Sequence, residues 1–443
     1  MSSKPVPKSV LIVGAGIFGL STALAIARRH PSTKVTIVDR LTPPVEDGTS
    51  VDTTRCIRTD YGDPVYAGLA EEAQKKIEQD PELSRFYFKQ GMSFVVDGTL
   101  GPMLDLYRKN LAAIKARAAQ GLGSDPIEMT STEAVFQSIH GKTAQPVSDA
   151  SLGRRKRWNA GYRNMDAAFI DAKECVRIYY ERCLEQPSIV FRCCVPVERL
   201  AIAGSRATGV VLENGETLSA DITLVAAGAW SNKLVYLDDL IVPSAIEVAW
   251  VKLTDEEAVK WKHMSITTNF DTGFNLFPPY RGEIKCLRRS AGYRHTVLIP
   301  HPEDPSKTIR TSLPRTTVTN PGDQIPLEAE KALRDNLREM MPQLADRPFD
   351  RTKLCWLSQT QSADFIVAPH PRLAGVHVAT GGSAHAWKFL PIIGDLVMDS
   401  IEGKLDAKLA AKWAFGTKKT KEGNAPRVGG AAQELAHVVR SRL

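Results

Sequence analysis

No run of about 18 or more apolar residues occurs in the 443-residue chain, so a membrane-spanning helix is not expected. The seven cysteines are irregularly spaced and no signal-peptide pattern stands before them. Together these features argue for a reducing compartment and against a disulfide framework. Cys193-Cys194 lies in a strand-like run, where both side chains are expected to be buried. His295, His301, His370 and His377 are spread without ligand spacing, which argues against a metal site. Aromatic and basic residues do not interleave, so nucleic acid is not an expected partner. No internal repeat is evident.

What is present is ordinary for a globular protein: 43% hydrophobic and 24% charged residues. The length suits two domains, or one nucleotide-binding fold with a second lobe inserted. The net charge of +7 is scattered or held in short clusters such as Arg154-Arg155-Lys156 and Arg288-Arg289. Such clusters read first as solvated surface, and second as attraction for an anionic substrate. The terminal Ser441-Arg442-Leu443 reads as a variant of a peroxisomal import address, carried on a polar, glycine-containing tail that would hold it away from the body.

The stretch "SVLIVGAGIFGLSTALAIARRHPSTKVTIVD" carries the first chemistry. A buried strand over Val10 to Val13 leads into Gly14, Gly16 and Gly19, spaced as GxGxxG; a helical period follows, then a second strand ending at Asp39. The glycines allow a tight turn and close approach to a pyrophosphate at the helix N-terminus, and Asp39 is placed to accept from a ribose diol. This unit predicts an adenine dinucleotide without choosing between NAD and FAD. Strand Ile222 to Val225 ends in the small residues Ala226, Ala227, Gly228 and Ala229, which suit either close approach to a ligand or tight helix packing. The nucleotide fold is therefore completed discontinuously.

Periodicity predicts helices near 65–79, 102–118, 169–184, 327–340 and 391–401. Strands are expected near 187–197, 206–212, 244–252, 264–276, 283–289 and 296–300, with a pair across 365–380. The expected class is α/β: a discontinuous Rossmann-like domain (1–85, 150–240, 350–415) interleaved with an antiparallel substrate domain (86–149, 241–349), then a tail (416–443).

Four motifs together resemble the monomeric sarcosine oxidase family of covalent flavoproteins, which includes L-pipecolate oxidase, saccharopine oxidase and the fructosyl amino acid oxidases (amadoriases). They are "TTRCIRTDYGD", "GEIKCLRRSAGYRH", "KLCWLSQTQSADFIVAPHP" and "ATGGSAHAWKFLPIIGD". The likeness spans nearly the whole chain and implies a fold like that of D-amino-acid oxidase, with FAD attached through Cys355. It assigns Arg58 and Lys388 to the substrate carboxylate, Arg55 to a place nearer the flavin, and Lys285 to oxygen activation, where a fixed cation stabilises the charge that develops on O2. Tyr61, Asp63 and His385 match pocket positions, and no strong base is required of His385. Gly381 and Gly382 match the segment closing over the flavin ring. Arg40, Thr54, Val197, Ala227, Gly228 and Trp230 are expected along the rest of the cofactor.

Departures from the family also carry information. Arg289 replaces a histidine, either to meet a second acidic group on a larger substrate or to pair with a local acid. Leu357 replaces a tyrosine, and Ala384, Ala386 and Trp387 crowd a segment usually richer in glycine. Arg55 leans toward the sarcosine and pipecolate side, since amadoriases usually have lysine there. The implied activity is oxidation of a C–N bond in a carboxylate-bearing secondary amino acid, with O2 reduced to H2O2. Its imine product is either hydrolysed or trapped by an internal nucleophile. Deglycation of fructosyl amino acids, or a biosynthetic oxidation whose product cyclises, is the alternative. From other classes, an NAD-dependent dehydrogenase would not need Cys355, and a non-catalytic dinucleotide binder would not need Lys285, Arg58 and Lys388. The remaining expectations are a monomer, a peroxisomal location otherwise cytoplasmic, and the import receptor as partner.

Overall fold

The computed structural model describes residues 6–98, 102–146, 158–237, 239–416, 431–438 and 440–441. The Arg154-Arg155-Lys156 cluster and the last two residues of the targeting tripeptide, Arg442 and Leu443, lie outside these.

Two sheets organise the chain. The first has six strands in the order 366–369, 376–380, 222–225, 9–13, 34–39, 189–193. All neighbours are parallel except the first pair, which is antiparallel. The short apolar runs Val10–Val13 and Leu224–Val225 are buried, as expected for a parallel sheet covered on both faces. Helix Ile17–Arg29 covers it and packs closely on helix Leu390–Glu402: a Cβ on Gly394 would stand 2.0 Å from the Ser21 carbonyl oxygen. This is the expected Rossmann-like unit, assembled from both ends of the chain.

The second sheet has ten strands and is mostly antiparallel. Its spine is Ile241–Lys252, which pairs along one edge with Arg351–Thr360 and along the other with Glu283–Arg288 and Tyr293–Arg294. Cross-strand register sets Cys355 opposite Ile246, and Val248 opposite Leu287. Side chains alternate along a strand, so Ile246, Val248, Lys285, Leu287, Cys355 and Leu357 share one face. The other face, with Ala245, Ala249, Cys286 and Trp356, packs with helix Leu327–Met340. The first of these faces forms the floor of the site.

Three expectations need correction. Strand Arg351–Thr360 belongs to the large sheet, as does Ala160–Asn164, so the sheet boundary cuts through segments that composition placed with the nucleotide fold. Cys193 is only half-buried and Cys194 is exposed, with a left-handed φ of 63°: the strand ends at Cys193 and the chain turns out to solvent. The C-terminal segment does not stand off from the body. Gln433–Glu434 pairs with Tyr293–Arg294, Arg440–Ser441 pairs with Asp323–Gln324, and Leu435 is fully buried. One leucine, with Glu434 accepting from the Thr296 amide and hydroxyl, outweighs the polar composition around it.

Candidate active site

A string of connected cavities runs between the two sheets. At one end, Gly14, Gly16, Asp39, Arg40, Val197, Ala227, Gly228 and Trp230 surround a slot at the start of helix Ile17–Arg29. The glycine loop fits by omission of side chains. Gly14 has φ +109°, and a Cβ there would lie 2.5 Å from the Ala226 oxygen; at Gly19 it would lie 1.9 Å from the Gly14 oxygen. Gly19 thus closes the loop against the helix without lining the slot. The helix has no acidic residue in its first turn and no side-chain cap on Gly16, which leaves its positive end open to an anion.

Asp39 accepts from Ala15 N at 2.7 Å and Leu41 N at 3.2 Å, so it braces the loop as well as facing the ribose position. Burial raises its pKa against those hydrogen bonds. The Arg40 guanidinium pairs with Asp47 and lies 4.1 Å from the Trp230 ring centroid, building an aromatic wall. This cradle fits the pyrophosphate and adenosine of FAD.

The middle cavity, about 140 Å³, shares Gly16, Thr49, Ser50, Ala226 and Gly228 with the slot. Its walls include Arg55, Arg58, Phe277, Cys355, Leu357, Gly382, Trp387 and Lys388. Residues far apart in sequence meet here because the Arg55–Ile57 strand, the large-sheet floor and the turn after strand Val376–Thr380 converge. Trp387 donates its indole N–H to Ser50 O at 2.8 Å, which pins the closing turn to the loop after the first unit. That turn holds Gly381, Ser383 and Ala384 at φ of 73°, 46° and 62°. For the two non-glycines this costs about 1–2 kcal/mol each, strain of the kind held at functional sites.

Charge is arranged around one buried carboxylate. Asp52 pairs with Arg55 and, at 3.1 Å, with Lys285 Nζ. Burial alone would raise its pKa, but the charges of Arg55 and Lys285 outweigh that and hold it below the usual carboxylate range. Lys285 also donates to Thr54 O at 2.6 Å and lies 3.9 Å from the centroid of Phe277, a wall residue of the cavity. Burial lowers its pKa to about 8 despite Asp52. Thr54 itself sits behind the wall rather than on it; its carbonyl holds Lys285, and its buried Oγ1 has no partner among the described residues. The Cys355 thiol lies 3.9 Å from Arg55 Nη2 on the cavity floor.

Beyond this lies a roomier cavity of about 500 Å³, which shares Arg58, Arg289, Leu357, Ser383, Ala384 and His385 with the middle one. Here a hydrogen-bonded chain fixes three predicted residues. Lys388 Nζ donates to Tyr61 Oη at 2.7 Å and to the His385 carbonyl at 3.1 Å. Tyr61 Oη stands 2.9 Å from His385 Nδ1, and His385 Nε2 stands 2.8 Å from the Ala363 carbonyl. A carbonyl only accepts, so Nε2 carries the proton and Nδ1 accepts from Tyr61. Burial, then the nearby Lys388 charge, holds His385 neutral. Burial, then Arg58, likewise lowers Lys388 well below its usual value. His385 is therefore a positioning group, with both nitrogens committed.

Asp63 caps helix Pro64–Gln79 through Val65 N and pairs with Lys412 at 2.8 Å, which leaves it lining the cavity with its charge already matched. Arg58 donates to the Asp60 carbonyl oxygen, and Arg289 reaches both cavities. Thr49, Ser50, Asp52 and Phe277 are site residues that sequence reading missed, because each acts through a contact with a distant segment and carries no periodic or motif signal.

A dinucleotide cradle leading to a cation-lined chamber is the layout of a dinucleotide-dependent oxidoreductase. The chain belongs to the FAD dependent oxidoreductase family, whose model matches residues 9–400. It is 28% identical to L-saccharopine oxidase of Schizosaccharomyces pombe, over 92% of this chain and 93% of that one. To an amino acid oxidase of Aspergillus flavus it is 30% identical, over 90% and 95%. The crystal structure of the deglycating fructosamine oxidase Amadoriase II of Aspergillus fumigatus superposes with a TM-score of 0.82, at 26% identity, over 98% of this chain and 97% of that one. The resemblance drawn from the four motifs holds at the level of family, fold and enzyme class: this is a FAD-dependent amine oxidase that oxidises a C–N bond with O2 as acceptor. No helix among the described residues is long and apolar enough to cross a membrane.

Proposed function

We propose that the substrate is an N-substituted amino acid whose substituent is large and polar, the form that includes fructosyl amino acids. The observation that carries this is the chamber beyond the closing turn. At about 500 Å³ it would stay mostly empty around an N-methyl group. Its wall offers Asp60, Lys109, Asn110, Gln359, Ser362 and Asp364, which suit hydroxyls or charges better than a hydrocarbon. Likeness to a deglycating oxidase weighs the same way, whereas Arg55 by itself leans toward unglycated substrates.

In this reading Arg58 and Lys388 take the α-carboxylate, whose negative charge favours the cationic form of Lys388 that burial and Arg58 oppose. Holding that end fixes the amine against the ring-side cavity, converting binding energy into orientation. The substrate enters as the free amine, since among the described residues the one histidine lining the two cavities, His385, has both nitrogens committed. FAD, when bound, would supply the two-electron acceptor for the C–N oxidation and the route by which O2 is reduced. Cys355 carries the flavin, supported by its place on the cavity floor with the Arg55 cation near its sulfur, and Lys285 serves the oxygen step. The terminal Ser441-Arg442-Leu443 addresses this peroxide producer to the peroxisome.

Peroxide release by the yellow enzyme on fructosyl-valine, saccharopine, L-pipecolate, N-methyl-tryptophan and sarcosine tests the substrate reading. Faster turnover of the bulky polar substrates is expected; sarcosine as the best substrate would overturn it. Loss of peroxisomal import on removing the last three residues tests the address.

A further inference from the structure

Arg288 and Arg289 are neighbours with opposite fates. Strand alternation turns Arg288 away from the site, where it pairs with Glu247 and, at 2.7 Å, with Glu328. Arg289 falls on the same face as Lys285 and Leu287. Its own amide donates to Gly273 O at 2.8 Å, which fixes the backbone, and its guanidinium opens on both the middle cavity and the outer chamber. Among the described residues no carboxylate lies within ion-pairing distance of it, and none accepts a hydrogen bond from its side chain. The local-acid explanation for this arginine is therefore not met.

The carboxylates around the chamber are engaged elsewhere. Asp60 accepts from Tyr162 at 3.1 Å and Asn164 at 2.9 Å; Asp63 and Asp364 share Lys412 at 2.8 and 3.1 Å. Arg58 has the Asp60 carbonyl, and Lys388 has Tyr61. Among the described residues Arg289 alone in this group is left without a protein acceptor, although it is half-buried between the two cavities and its charge is opposed by the nearby Arg58 guanidinium. Burying an unpaired charge is costly unless an anion arrives to meet it. A guanidinium presents a planar fork suited to bidentate binding of a carboxylate.

We propose that Arg289 receives a second anionic group, carried on the substituent of the amine nitrogen, so that the preferred substrate is a secondary amine with an acid on each arm. This rests on the reading of the site as an oxidase of N-substituted amino acids. One carboxylate sits at Arg58 and Lys388, the other at Arg289, and the oxidised C–N bond is held between them where the two cavities meet.

The test uses a matched pair that differs in charge and hardly in size: an N-(2-carboxyethyl) amino acid and the same molecule with its side carboxylate as the primary amide. With the FAD-loaded enzyme, kcat/KM from peroxide release should favour the diacid roughly 10- to 100-fold, the range of one charge-assisted contact. Arg289→Gln should bring that ratio toward one, chiefly through KM, and Arg289→Lys should restore part of it. A second readout needs no turnover: perturbation of the flavin absorption by the non-oxidisable ether diacid, diglycolate, should saturate at lower concentration than with its monoamide.

Equal use of diacid and amide by the wild-type enzyme, or a preference that survives Arg289→Gln, overturns the proposal. If Arg289→Gln does not fold, the wild-type ratio and the diglycolate titration decide. Strong activity on fructosyl-valine with no diacid preference would sink the Arg289 subsite and leave the proposed function standing. Peroxide from none of the N-substituted amino acids would remove both.

Discussion

Replacing Asp52 with asparagine should shift the pH at which the reduced enzyme loses its reactivity toward oxygen. Lys285 and Asp52 form a buried pair 3.1 Å apart, and burial brings the lysine to about 8. Below that pH Lys285 is a cation; above it the side chain is neutral. If the cation assists O2 reduction, the reoxidation rate is high on the acid side and falls as pH rises through about 8. Two unit charges at this spacing attract by about 5 kcal/mol at an effective dielectric near 20. Relaxation and water entry reduce the effect of deleting one, but a single pKa unit requires only about 1.4 kcal/mol.

Asparagine keeps an oxygen for the Thr53 amide, which Asp52 now binds at 2.7 Å, while removing the charge. The midpoint should therefore drop by at least about one unit, and at pH 7.5 the cationic fraction should fall about threefold. The assay is stopped-flow mixing of anaerobically reduced enzyme with oxygenated buffer from pH 6 to 10, followed by flavin absorbance. Lys285→Met supplies the baseline, with a loss on the order of 100-fold or more and no midpoint. A wild-type rate that is flat with pH, or an Asp52→Asn midpoint unchanged from wild type, would refute the reasoning.

Other expectations are more direct. Cys355→Ser should release its FAD into the supernatant on acid precipitation, whereas the wild-type pellet stays yellow; a colourless wild-type pellet would end the covalent reading. Gly19→Ala puts a methyl 1.9 Å from the Gly14 oxygen and should yield protein with little or no flavin, read from the absorbance ratio at 450 and 280 nm. Truncation after residue 430 removes the fully buried Leu435 and two strand pairings, and should cost about 2–5 kcal/mol in denaturant unfolding. An unchanged midpoint would show that this segment contributes nothing to stability.

The first βαβ unit is legible in sequence because its signals are local: a four-residue apolar run, three spaced glycines and an acid at the end of the next strand. Helix ends near 64–79 and 390–402 fall within a residue or two of expectation for the same reason, since Asp63-Pro64 and Gly403 mark them. The long-range partnerships are not written locally. Nothing near residue 351 says that the strand bearing Cys355 leaves the nucleotide sheet for the other one. Asp52 reads as a surface neighbour of Arg55 until Lys285 is found beside it, 233 positions later in the chain. Arg289 is visible as an oddity against its family, but that it lacks a protein partner can be learned only when the carboxylates around it are located. The tail misled because its first half is rich in lysine, glycine and polar residues, whereas the docking residue Leu435 lies in a short later run with no motif of its own.

Assembly order follows from the strand sequence of the parallel sheet. The glycine loop at residues 14–19 is made first on the ribosome, yet its close neighbour Ala226 comes some two hundred residues later, and strand 376–380 and the helix covering Ser21 later still. Closing so long a loop is entropically costly and slow, so the nucleotide fold stays open through most of synthesis. Flavin capture is then an event of the nearly finished chain, and fragments ending before about residue 400 would be released without cofactor. On this order flavin loading is expected to follow completion of the substrate chamber.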